Sequence, residues 1–167
     1  MTEHQSSNQA IFVKMVLDAW RAKSDHLSRL VSELSDEQLL QEVAPGRNTG
    51  AYLFGHLTVL ADHIIPLLGY GEHLAQPLVK PFVQTPDQKN TDLATVKAIR
   101  QTWSNVKALL DKKIPETTPK KGFGRHTSIS EEDFAREPHR NKLNVILGRI
   151  GHMDYHIGQL TFLKPNK

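Results

Sequence analysis

Cysteine is absent from this chain of 167 residues. That excludes disulfides, thiolate metal ligands and a cysteine nucleophile, so any thiol chemistry needs a thiol brought in as a cosubstrate. Charge of one sign is also scarce in excess: 21 basic residues stand against 18 acidic ones, a net +3, and they are scattered apart from Lys112-Lys113 and Lys120-Lys121. A nucleic-acid protein concentrates positive charge on one face with aromatics interleaved, so no nucleic-acid partner is expected. No stretch alternates polar and apolar residues over a useful length, which leaves no signal for strands. No apolar run reads as long enough to span a bilayer, and the start, Met1-Thr2-Glu3-His4-Gln5, is polar rather than a signal peptide. The expectation is a cytoplasmic protein with no membrane partner.

What is there is helical periodicity. The length suits a single domain over residues 1–167, large enough to bury a core without staples. Phe12, Val16, Ala19, Leu27, Leu30 and Leu34 recur at spacings of three and four, which predicts a long helix over residues 9–34. Ser35-Asp36-Glu37-Gln38 fits a capping box opening a short piece that Pro45-Gly46 ends. Asn48 or Thr49 can cap the next helix, whose stripe is Leu53, His56, Leu57, Leu60, Ile64 and Leu67, closed by Gly69 and Gly71. Pro77, Pro81 and Pro86 mark an extended loop up to Asn90. Asn90 is expected to cap a third long helix that buries Leu93, Val96, Ile99, Trp103, Val106 and Leu110 before Pro115 stops it. Residues 115–138 read as a long loop in which Ser130–Asp133 starts a single helical turn. The last helix is expected from Arg140 to Leu163, with Pro138 in its first turn. Trp20 and Trp103 read as core anchors. The fold class is all-α: a four-helix bundle with long loops between helices 2 and 3 and helices 3 and 4.

The chemistry concentrates in the last helix. His152 and His156 are four residues apart, so their Cβ atoms lie about 5–6 Å apart on one helical face and both rings reach a single cation. On a helical wheel Val145, Arg149, His152, His156, Gln159 and Leu163 share one stripe beside the apolar arc of Ile146, Ile150, Met153, Ile157 and Leu160. The polar stripe therefore borders the core. His56, far upstream on an apolar stripe, reads either as the third ligand or as a core histidine satisfied by hydrogen bonds; His63, seven residues on, is the reserve ligand or a supporting group. Three neutral imidazoles leave a dication's charge uncompensated, which acidifies a bound water or stabilises a thiolate. Gln159 can accept a ring N–H as a supporting contact, or be an ordinary packing amide. Arg149 can grip a carboxylate of a substrate or thiol; without an anion it is expected to point away or to pair with an acid. Tyr155, off the histidine face, reads as core or interface packing, and His126 as exposed or covering the pocket mouth. Asp62 and Asp154 fall off their helices' histidine faces and are left out of the ligand set.

The segment Leu143–Leu163, with Gly151-His152 and Tyr155-His156-Ile157-Gly158-Gln159-Leu160, resembles the C-terminal helix of DinB-like proteins, which ends in a His-x-x-x-His-x-Gly-Gln-Leu signature. Upstream, Gly55-His56-Leu57 opens an apolar helix where that family places its first metal histidine. The resemblance implies a DinB-like four-helix bundle binding a divalent ion, zinc or nickel, through His56, His152 and His156. It further implies a homodimer and a small-molecule substrate, with thiol-dependent S-transfer or isomerisation as the leading activity. Metal-dependent hydrolysis is the alternative. A non-catalytic bundle that uses the ion for structure or sensing, with His63 closing the shell, is the reading from another class.

Overall fold

The computed structural model describes residues 3–165, with side chains from residue 7 onward. The polar start at Met1-Thr2 and the final Asn166-Lys167 lie outside the described residues. The chain is 72% helix, with no strand among the described residues. Nine α-helical segments are described: α1 (Glu3–Glu33), α2 (Asp36–Leu39), α3 (Gly50–Asp62), α4 (Ile64–Leu68), α5 (Gln76–Val79), α6 (Leu93–Lys113), α7 (Pro119–Gly122), α8 (Glu131–Arg136) and α9 (Lys142–Leu160). The long helices pack together: α9 runs against α1 and α3, and α3 also packs on α6.

Local sequence explains where these helices start. Ser35 closes a capping box with Gln38, as the sequence predicts. Of the two candidates for the next cap, Thr49 takes the role by accepting from the Tyr52 N–H, and Asp87 in turn accepts from the Thr49 backbone N–H (2.6 Å) and hydroxyl (3.0 Å). Asp92, not Asn90, caps α6 by accepting from the Thr95 N–H. Leu93 is therefore the first residue of α6 and is 41% exposed instead of buried. Ser130 caps α8 as expected, and Asn141 caps α9, which leaves Pro138 outside the helix. The apolar stretch 50–68 is interrupted at His63 and ends at Gly69, whose φ of +77° is the left-handed cap that favours glycine.

The core runs through α6 and α9 largely on the faces the sequence predicts. α3 is buried on more of its circumference than the predicted stripe, with Phe54, Val59 and Ala61 inside, while Leu60 and Leu67 of that stripe are only partly buried. Phe54 (0% exposed) meets Trp103 edge-on, with ring centroids 6.2 Å apart. Trp103 donates its indole N–H to the Ser28 hydroxyl on α1. Arg100 ties three elements together: it donates to the Val31 and Leu34 carbonyls at the end of α1 and to the Asp36 carboxylate of α2, each at 2.8 Å. In α1 the buried stripe is Val13, Val16, Trp20, Leu27 and Leu30; Phe12 is 42% exposed and stacks on Phe123.

Three expectations are corrected here. The stretch 50–68 is long and apolar enough by composition to cross a membrane, contrary to the reading from sequence; two-thirds of it is buried inside the protein, as befits a core helix. The expected extended loop between Gly71 and Asn90 holds α5 and a π-helical turn at Lys80–Gln84. Proline spacing suggested irregular chain, yet Pro77 and Pro81 each stand second in a helical segment, where the fixed φ of proline suits the helix. The expected loop 115–138 likewise contains α7 as well as α8.

Candidate metal centre

α3 delivers His56 and α9 delivers His152 and His156 to one place. One ring nitrogen from each lies within 4.8 Å of the other two. The Nε2 atoms of His56 and His152 are 3.1 Å apart. Two nitrogens bound tetrahedrally to a zinc ion at 2.0–2.1 Å are separated by about 3.3 Å, so this spacing suits a shared ion. His156 is 9% exposed, while His56 and His152 are half-buried.

The ring orientations follow from the elements around them. The His56 Nδ1–H donates to the Phe82 carbonyl at 2.8 Å, and the His156 Nδ1–H donates to the Gln159 amide oxygen at 2.6 Å. A carbonyl oxygen can only accept, so in both rings the proton sits on Nδ1 and Nε2 offers a lone pair. The Lys80–Gln84 turn supplies Phe82 because α3 carries Gly55: a Cβ there would meet the Phe82 ring at 2.6 Å. The glycine thus lets the turn come close enough for its carbonyl to reach His56. Tyr52, one turn earlier, stacks on the other side of His56 with ring centroids 6.3 Å apart.

Burial favours the neutral form of the two α9 rings. Burial, then the neighbouring charges of His156, His56 and Arg149, pushes His152 down to about 4. Burial also lowers His156, against the Gln159 hydrogen bond, which raises it. Neutral imidazole is the form that binds metal. No carboxylate joins the cluster among the described residues.

The remaining candidates separate by position. His63 does not converge with the other three; its ring stands edge-on to His73 at 5.3 Å. Gln159 supports His156. Arg149 neither pairs with an acid among the described residues nor lies fully exposed, and its Nε is buried without a hydrogen-bond partner. Tyr155 is 65% exposed, so of the core and interface roles expected of it the core one is excluded; its ring meets His156 edge-on at 4.9 Å. His126 is half-exposed, hydrogen-bonded to the Ser128 hydroxyl. Asp154 pairs with Lys23 on α1. Asp62 lies outside the cluster; it is fully buried and holds His73 and the Leu74 N–H, at 2.8 and 2.6 Å. The sequence reading missed Phe82; an aromatic between closely spaced prolines was the available signal. A cleft of about 300 Å³ between α1 and the end of α6, lined by Val13, Leu17, Trp20 and Leu110, includes none of the three histidines.

Gln159→Leu is expected to weaken metal affinity by about 10–100-fold, because it removes the acceptor that fixes the His156 tautomer. Gln159→Glu, which keeps an acceptor, should retain most of it. Competition with a chelator of known affinity measures both. Equal affinities for Gln159→Leu and wild type would show that the amide does not orient the ring.

Compared with known proteins, the chain matches no family model and no curated relative.

Proposed function

We propose that this chain is a DinB-like metal-dependent enzyme. In this reading the packed helices are a four-helix bundle, and His56, His152 and His156 hold one divalent ion, zinc or nickel. A low-molecular-weight thiol cosubstrate then reacts with an electrophilic small molecule, by S-transfer or isomerisation. The observation that carries the reading is the convergence of three imidazoles from two helices, two of them with bare Nε2 atoms set by carbonyl partners.

When bound, the ion would supply a Lewis-acidic centre that favours the anionic form of its ligand. The chain's own residues do the rest. The Phe82 carbonyl and Gln159 hold two rings in one tautomer. The lack of a carboxylate in the cluster leaves the ion's charge for an incoming ligand. With no cysteine in the chain, a thiol must come from outside. Metal-dependent hydrolysis draws on the same cluster; the half-exposure of His56 and His152, which admits water, favours it as the second reading. A closed structural or sensing site needs a fourth protein ligand, and His63 is set against His73 instead. A homodimer belongs to the same proposal; the exposed Ile11, Met15, Tyr155 and Phe162 offer apolar surface for it.

The metal-loaded protein is expected to consume thiol and electrophile together, with turnover abolished in a His152→Ala variant that keeps its helical circular dichroism. Turnover in water alone, indifferent to added thiol, would replace the transferase reading with hydrolysis. No turnover under either condition would favour the non-catalytic bundle.

A further inference from the structure

Arg149 sits one turn before His152 on α9. Its charge reaches both His152 and His63 at the α3–α4 junction, a smaller contribution added to the burial that lowers each of them. The side chain is half-buried, and its own burial disfavours its charge. Its Nε is sealed from solvent with no hydrogen-bond partner. None of the ion pairs among the described residues involves it. The one fully buried carboxylate among the described residues, Asp62, is already engaged by His73 and the Leu74 N–H.

The Nε–H of this guanidinium has given up water without gaining a partner, which is unfavourable for a polar group. Its neighbours His152 and His63 are imidazoles, which have no negative charge to offer it. A dication on the three histidines adds to the positive potential instead of cancelling it. Both charges call for an anion between or beside them. The planar fork of guanidinium N–H groups matches a carboxylate edge, and one guanidinium balances one carboxylate charge.

We propose that Arg149 is the substrate-recognition residue of this site, gripping a carboxylate on the small molecule whose other end reaches the histidine cluster. The proposal rests on the metal-centre reading above and names its substrate class: a carboxylate-bearing thiol or electrophile.

Two probes of equal length separate the charge from the shape, 3-mercaptopropionate and its neutral amide, 3-mercaptopropionamide. Cobalt-loaded wild type, followed by its visible spectrum, is expected to bind the carboxylate at least about tenfold more tightly, the margin of one charge-assisted contact. Arg149→Gln should bind both at the level of the amide with its cobalt content unchanged, and Arg149→Lys should recover part of the preference. Equal binding of the two probes by wild type would overturn the proposal. So would a preference that survives in Arg149→Gln, since the carboxylate would then be meeting the metal directly. A second arm needs no metal: in metal-free protein the Arg149 Nε–H resonance is expected to move on addition of the carboxylate and not of the amide. Failure of wild type to take up cobalt counts against the metal centre alone, and this arm then decides, an unmoved resonance rejecting the anion site.

Discussion

His152→Ala is expected to lower zinc or nickel affinity by on the order of a thousandfold while leaving the fold in place. Zinc held at a protein site is worth roughly 10–16 kcal/mol, so one ligand of three carries on the order of 3–5 kcal/mol. The apoprotein has little to lose, because His152 is half-buried and burial already works against its charged form. His56→Ala and His156→Ala should behave alike in affinity, although they sit on helices more than ninety positions apart in the chain. Chelator competition reads the affinity, and far-ultraviolet circular dichroism reads the fold. An affinity that survives any one of the three substitutions would mean that the ring removed is not a ligand.

Phe54→Ala is expected to do the opposite: lose stability by about 3–5 kcal/mol and leave metal affinity intact in the molecules that remain folded. The ring is wholly buried two residues before His56, on the side of α3 that meets Trp103 and α6. Its removal opens a cavity between two helices whose packing does not include the histidine cluster. Against the 5–15 kcal/mol typical of a whole domain, that is a large share. The midpoint of denaturant unfolding measures it. A loss below about 1 kcal/mol would place Phe54 outside a tightly packed core. A loss of metal affinity at full helicity would show that α6 packing positions His56, which the contacts described above do not require.

Helical spacing put His152 and His156 on one face, but an apolar stripe left His56 open between ligand and core histidine; the resemblance to DinB-like proteins is what joined the three. What separated His56 from His63 is tertiary. The helix breaks at His63 itself, so the residue that a continuous wheel puts on the same face turns toward His73. The contacts that orient the cluster were only half visible. Gln159 is three residues from His156 and follows from helix geometry; Phe82 comes from a turn that its prolines disguised as extended chain. For Arg149 the sequence offered a grip on a carboxylate, a turn outward or an acid partner; among the described residues it pairs with no acid and its Nε is buried without a partner, which only the packing could show. The capping signals of Ser35 and Ser130 match the structure, since each depends on residues only three positions away, and of the pair Asn48 and Thr49 the structure selects Thr49. The cap of α6 falls at Asp92, two residues after Asn90, and α9 starts at Lys142, two residues after Arg140, within the usual uncertainty of helix ends.

The decisive observation is anomalous diffraction at the zinc absorption edge from crystals grown with one equivalent of zinc. Shared coordination predicts a single strong peak per chain, about 2.0–2.1 Å from one ring nitrogen each of His56, His152 and His156. An empty map at that point, or a peak held by His63 and His73 instead, would contradict it and remove the basis for any reaction at this site.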